Sequence, residues 1–397
     1  MRGRARLLVS VVLVAALVDS GVFAWMALWS HAADPGAFFG GDHESYRQAA
    51  IRLASTGSPY HPLLFAGPIA NDVKNVPIAY LYPPPLAQLF VPLLGIPAFT
   101  LAAWSSAVQG LIVAIVFPLV YRRFAFNLAW SSVLGVWLIA GVSNPVHFAI
   151  YGGNLSGWIA ISIAIALVAP RRAGPVVATL MGIVKMTPGI LLVPALLTRT
   201  ARLPVAAVGL LVVGTSVAIS PFAWAEWLRA LPNIFQFPPW DGAENFSPVV
   251  ITSAIGLPQV GSVLTLLISA TAIVGAVVLA RSGRWYGSIA AAATALLFAT
   301  SSVGSHYLAI LTPLVIAALP NSSRTARVAL TAFIITTIVP WFAPEPSLVL
   351  RALYLFAALA ACITVTIQLA RYPTGEPTRS RVTSRGLVVD TGRAELA

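Results

Sequence analysis

Long apolar blocks, broken by short basic clusters, make up most of the chain. A helix that crosses the roughly 30 Å hydrocarbon core of a bilayer needs about 20 apolar residues. On that pattern, spans are predicted over Leu7–Ser30, Thr100–Tyr121, Asn127–Val142, Leu155–Val168, Leu203–Phe222, Gly261–Ala280, Tyr286–Val303, Tyr307–Leu319, Arg327–Trp341 and Leu348–Leu369. Between Arg172 and Arg199 the chain must leave and re-enter the same side. Gly174–Leu197 is therefore predicted as a hairpin of two short, tilted helices turning near Lys185. Each arm of about 13 residues gives roughly 20 Å of helix, less than a full membrane thickness. Single spans and half-spans together amount to about 12 crossings.

Composition narrows this to an all-α polytopic membrane protein. The 397 residues are 58% hydrophobic and 9% charged, whereas soluble domains are about half apolar and roughly a quarter charged. The first apolar run is too long for a cleaved signal peptide and is read as a retained span. A single cysteine, Cys362, excludes an intrachain disulfide or a cysteine metal site.

The net charge of +12 could point to nucleic acid, but most of it lies in small arginine clusters between spans. These are Arg2, Arg4 and Arg6; Arg122 and Arg123; Arg171 and Arg172; Arg199 and Arg202; Arg281 and Arg284; Arg324 and Arg327; with further arginines from Arg371 onward. One threading puts all of them in the cytoplasm, with both termini inside, as the positive-inside rule requires. No nucleic-acid partner is then expected. The expected location is the plasma membrane.

The same threading places Asp34, Asp42, Glu44, Asp72, Glu226, Asp241, Glu244, Glu345 and all five histidines on the outer side. Varied polar chemistry is needed for a working site, so the outer face is the expected functional face. Residues 1–372 read as one membrane domain, and 373–397 as a disordered cytoplasmic tail. No Asp-x-Asp motif occurs, so neither metal nor cofactor is expected.

Residues 31–99 form the longest outer loop. "HESYRQAAIRLASTG" is predicted as a short amphipathic helix with Tyr46, Ala50, Leu53 and Ala54 on one face and Gly57 at its C-terminal stop. Asp42 at its head suits a helix N-cap, with Glu44 favoured by the helix dipole. "YLYPPPLAQLFVPLLGIPAF" is too proline-rich and too short for a span, and is predicted to lie on the outer leaflet as an interfacial helix.

These stretches resemble a known family. "DHESYRQAAIRLASTGSPY", "YLYPPPLAQLFVPL", "YGGNLSG", "GIVKMTPGILLVPALL" and "GSHYLAILTP" are similar, in that order, to motifs of glycosyltransferase family 87. Two departures are that Gly153 stands where glutamine is usual and that His306 is single where two histidines often stand. The resemblance implies a GT-C-type bundle. It also implies inverting transfer of a sugar, mannose first, from a polyprenyl-phosphate donor to a glycolipid or lipoglycan acceptor at the outer face. Arabinofuranose is the alternative sugar, and a lipid or sugar transporter the alternative class.

Carried over, Asp42 is the expected general base, taking the proton of the acceptor hydroxyl. Lys185, His306 and Arg47 are candidates for the donor phosphate, since the leaving group needs positive charge or donors. Glu44, Tyr82, Tyr151 and Asn154 are candidate sugar or acceptor contacts. Each has a plainer reading: Lys185 could snorkel from a hairpin tip, His306 could be a packed core histidine, Arg47 a surface charge, and the tyrosines interfacial anchors. Trp224, Trp227 and Trp240 read as an aromatic belt. Asp19, in the first span, has no assigned role.

Overall fold

A computed structural model describes residues 40–65, 80–125, 129–170, 173–185, 187–235, 245–299, 303–338 and 347–372. The predicted first span Leu7–Ser30, Asp19, Asp34, Asp72, Trp240, Asp241, Glu244, Glu345 and the tail from 373 lie outside these residues. The described chain is helical: α1 (Gly41–Thr56), α2 (Pro84–Phe90), α3 (Ala98–Ala125), α4 (Trp130–Val142), α5 (Asn144–Tyr151), α6 (Leu155–Val168), α7 (Ala173–Val184), α8 (Leu192–Leu197), α9 (Arg199–Ile219), α10 (Pro221–Phe235), α11 (Pro248–Ser253), α12 (Pro258–Arg281), α13 (Trp285–Phe298), α14 (Thr312–Ala318), α15 (Arg324–Ile338) and α16 (Leu348–Leu369).

Four of these helices, α3, α9, α12 and α16, are long and apolar enough to cross a membrane. A fifth crossing arises if α4 and α5, bent by 63°, act as one broken span. The bend falls at extended Ser143, two residues before Pro145, which has no N–H to continue the ladder. The long helices turn apolar side chains outward; Leu203, Leu210 and Leu266 are all exposed. Such a surface is a liability in water and a contact surface in lipid.

The shorter apolar helices sit inside. All 14 residues of α13 are buried, and α6 is buried along most of its length. The run of alanines in α13 lets neighbours approach closely. Ser288 Oγ donates to Ala276 O of α12 at 2.6 Å, and Trp285 Nε1 donates to Ala166 O of α6 at 3.1 Å.

At one end of this bundle, elements distant in sequence are clamped together. Arg123 Nη2 donates to the Tyr286 hydroxyl at 3.3 Å. Asn321 Nδ2 donates to Phe124 O at 2.7 Å and to the Tyr372 hydroxyl at 2.6 Å, and Arg284 donates to Ala370 O. The arginine-bearing ends of α3, α12 and α16 therefore meet, as the charge pattern requires.

At the other end α1, α2 and α10 form a cap with its own buried cluster, including Tyr46, Tyr60, Tyr80, Leu86 and Phe90. α2 starts with prolines, which suit the first helical turn. The Tyr80 hydroxyl is inserted there, donating to Pro83 O at 2.6 Å and accepting from Ala87 N at 3.0 Å. The helix is only 7 residues long and packs on α1. α1 stops at Gly57 in left-handed backbone, as expected, but its buried face uses Ala49, while Ala54 is exposed.

α10 is a helix separate from the predicted span Leu203–Phe222. The chain breaks at non-helical Ser220, so Phe222 belongs to α10. α10 straps the cap: Asn233 Nδ2 donates to Leu64 O at 2.6 Å.

Candidate functional site

The start of α1 is docked onto the turn between α5 and α6. Gly40 N donates to Tyr151 O at 3.0 Å, and Asp42 N donates to Gly152 O at 3.1 Å. Gly40, with φ 68°, precedes the helix, so Asp42 stands inside the first turn and is not the N-cap. Its carboxylate is not needed there, because carbonyls of the facing turn already take those amide donors. Asp42 Oδ2 instead accepts from Asn154 Nδ2 at 2.5 Å.

Asn154 Oδ1 in turn accepts from Ser156 N at 2.8 Å and caps α6. Both ends of the amide are thereby committed, one to the cap and one to Asp42. Burial pushes the Asp42 carboxyl above its usual range, while the Asn154 hydrogen bond and the charge of Lys185 pull it back.

Lys185 lies in the predicted turn, between α7 and the tight helical turn Thr187–Leu191. The arms approach closely there: a Cβ on Gly182 would lie 3.0 Å from Gly189 Cα. Lys185 does not snorkel. Its side chain is buried, 6% exposed; its Nζ donates to the Tyr307 hydroxyl at 2.9 Å and lies 4.6 Å from the Tyr307 ring centre and 5.3 Å from that of Tyr82. A buried ammonium between two aromatic faces has lost most of its water and is held by cation–π attraction and one hydrogen bond.

The Tyr82 hydroxyl is pushed up to about 12 by burial, against the opposing charge of Lys185. Tyr60 holds this loop by donating to Tyr82 O at 3.0 Å.

His306 stacks on Phe148, with ring centres 5.8 Å apart, and lies 4.4 Å from the Tyr307 ring. It is within electrostatic reach of Lys185. The structure thus brings together Asp42, Asn154, Lys185, Tyr82 and His306 from five separate stretches.

Glu44 and Arg47 stand elsewhere on α1. They pair with each other at 4.0 Å, both partly exposed, and Glu44 also accepts from Gln48 at 2.6 Å. Tyr151 contributes its backbone carbonyl to the docking of α1. Tyr307 was not among the sequence candidates because it reads as the first residue of an apolar span; its only sequence signal is adjacency to His306.

Beside this cluster opens an apolar cleft of ≈ 330 Å³, with His43, Tyr46 and Gly153 at one part of its wall and Leu89, Trp104 and Trp158 among the rest. The His43 imidazole is pushed down to about 4 by burial, so it is neutral at physiological pH.

A membrane-helix bundle carrying a half-buried carboxylate, an enclosed ammonium and an apolar cleft suits chemistry on a substrate that is part polar and part lipid. The model of glycosyltransferase family 87 matches residues 80–308, more than half of the chain, and the chain belongs to that family. It is a glycosyltransferase with membrane-spanning helices. Asp42 lies before the matched residues and is joined to them by the bond to Asn154. No curated protein and no solved structure matches the chain.

Proposed function

We propose that the protein transfers a hexose, mannose in the first instance, from a polyprenyl-phosphate donor to a glycolipid or lipoglycan acceptor. Transfer takes place at the outer face of the plasma membrane, in a GT-C-type bundle of about 12 crossings, with both termini cytoplasmic. The observation that carries this reading is that Asp42, tied to Asn154, stands within electrostatic reach of the buried ammonium of Lys185.

Asp42 takes the proton of the acceptor hydroxyl as its oxygen attacks the anomeric carbon. The bond between that carbon and the phosphate oxygen breaks, with inversion. Lys185, oriented by Tyr307, meets the charge that grows on the departing polyprenyl phosphate. The cleft beside the site takes hydrocarbon of a lipid-linked substrate.

The test is transfer by purified protein in lipid nanodiscs, using labelled polyprenyl-phosphate-mannose and a glycolipid extract. A labelled glycolipid with an α-linked mannose is expected. Transfer from polyprenyl-phosphate-arabinose alone would overturn the choice of sugar, and transfer from neither donor would overturn the choice of donor. Sidedness is tested by cysteines in a Cys362→Ser background. Gly41→Cys should react with an impermeant reagent on intact cells, and a cysteine at the exposed Ala173, beside the buried Gly174, only after permeabilisation; the reverse would invert the topology.

A further inference from the structure

His43 has a property that the mechanism above does not use. The residue is 6% exposed, and among the described residues neither Nδ1 nor Nε2 meets a hydrogen-bond partner. Packing alone does not explain an imidazole there. Its ring contacts, with Tyr46 at 5.9 Å and Phe90 at 5.6 Å, are ones a phenyl ring would make without stripping two nitrogens of water.

The neighbouring backbone is shaped around this ring. A Cβ on Gly153 would lie 2.0 Å from His43 Cδ2 and 2.8 Å from Nε2, and the φ of 69° at Gly153 is one that L side chains rarely adopt. His43 and Gly153 both line the apolar cleft. Tyr46, Ser105, Trp104 and Trp158 also bring polar atoms to that wall; Ser105 already accepts from Gln109 Nε2 at 3.3 Å, the indoles can only donate, and the Tyr46 hydroxyl, likewise buried without a hydrogen-bond partner among the described residues, stands beside the His43 ring. Gly153 and Val184 in the same wall adjoin Asn154 and Lys185, so this polar point stands where the cleft meets the cluster around Asp42. Being neutral, the imidazole offers one donor and one acceptor together.

We propose that His43 is a substrate-binding, specificity-determining residue, whose ring hydrogen-bonds an oxygen at the junction between the hydrocarbon and the polar head of a lipid-linked substrate lying in the cleft. The inference rests on the reading of the protein as a transferase of lipid-linked sugars. That oxygen belongs either to the phosphate of the polyprenyl donor or to a hydroxyl of the acceptor glycolipid.

The two sources are separated by measuring two constants in nanodiscs. One is the Kd of radiolabelled polyprenyl phosphate without sugar, and the other the acceptor KM in the transfer assay. His43→Phe keeps the ring contacts and removes both nitrogens, while His43→Gln restores a donor and an acceptor. We expect the Phe variant to weaken one of the two constants by about 10-fold, the scale of one lost hydrogen bond in a buried site, with kcat changed less. The Gln variant should recover most of the loss.

A raised Kd assigns the oxygen to the donor; an unchanged Kd with a raised acceptor KM assigns it to the acceptor. If His43→Phe leaves both constants at wild-type values, the residue is a packing element and the proposal is wrong. If wild-type protein neither binds polyprenyl phosphate nor transfers sugar, the transferase reading itself fails and this one with it. Should the Phe variant not fold, His43→Met fills the space without a hydrogen-bonding nitrogen and is read by the same criteria.

Discussion

The two buried cores among the described residues are made of different material. The bundle core around α6, α13 and α14 is mainly aliphatic, with runs of alanine such as Ala290, Ala291, Ala292 and Ala293 and aromatics such as Trp285 and Phe298 among them. The cap core is rich in tyrosine, and the hydroxyls of Tyr60 and Tyr80 tie loops whose backbone would otherwise lack fixed partners. Small side chains bring helices close; large amphipathic ones hold irregular backbone while leaving a polar edge. The candidate site lies where the two cores meet: Leu155, next to Asn154, packs in the cap core from a bundle helix. The division predicts that activity and stability can be damaged separately.

The largest effect is expected at Asp42. Asp42→Asn keeps an oxygen that can accept from Asn154 but removes basicity. Transfer should fall by about 100-fold or more, with thermal stability near wild type. Glu44→Gln is the control, and full activity in Asp42→Asn with loss in Glu44→Gln would move the base two residues along. Lys185→Met comes next, with a loss of about 10- to 100-fold and partial activity in Lys185→Arg. It also carries a pH signature. A base must be deprotonated, and the Asp42 carboxyl is already raised by burial and held back in part by Lys185. The acid limb of the pH–rate profile should therefore lie above the ordinary carboxylate range in wild type and move still higher in Lys185→Met. An unmoved limb would separate the two residues.

The complementary changes strike stability. Ala292→Leu overpacks a fully buried position in the bundle and should cost about 1–3 kcal/mol, read as a lowered Tm with kcat retained in the folded fraction. The smallest effect is expected for Tyr80→Phe. It removes one buried hydroxyl from the start of α2 and should cost about 1 kcal/mol. A Tyr80→Phe variant that is fully stable but inactive would place the hydroxyl in the chemistry and erase the distinction drawn between the cores.

Much of this was legible in the sequence because charge is so scarce in it. Lys185 stood out as the cation inside an apolar hairpin and Asp42 as an acid just past a predicted span, and arginine clusters marked one end of the helices. What was not legible depends on contacts across the fold. Asp42 resembles a cap in local sequence, and only the docking of α1 onto residues 151–152 frees its carboxylate for Asn154. Tyr307 meets Lys185 across 122 positions of sequence, so no local pattern announces the pair. α10 was hidden because its tryptophans read equally as a belt and its first residues continue an apolar run; the break at Ser220 is a backbone feature.

The hairpin has a consequence for how the chain is assembled. Its arms, 12 residues in α7 and, on the return, the 5 of the tight turn Thr187–Leu191 followed by the 6 of α8, are too short to be threaded across a bilayer one at a time. Its tip carries an ammonium whose bonded partner, Tyr307, is synthesised long afterwards. During biogenesis the segment must therefore wait near the interface and enter when the later helices stand ready to receive it. We expect a nascent chain stopped before Tyr307 to leave a cysteine beside Lys185 open to alkylation in the membrane, and the full chain to close it. Protection already present in the shorter chain would show that the hairpin enters unaided.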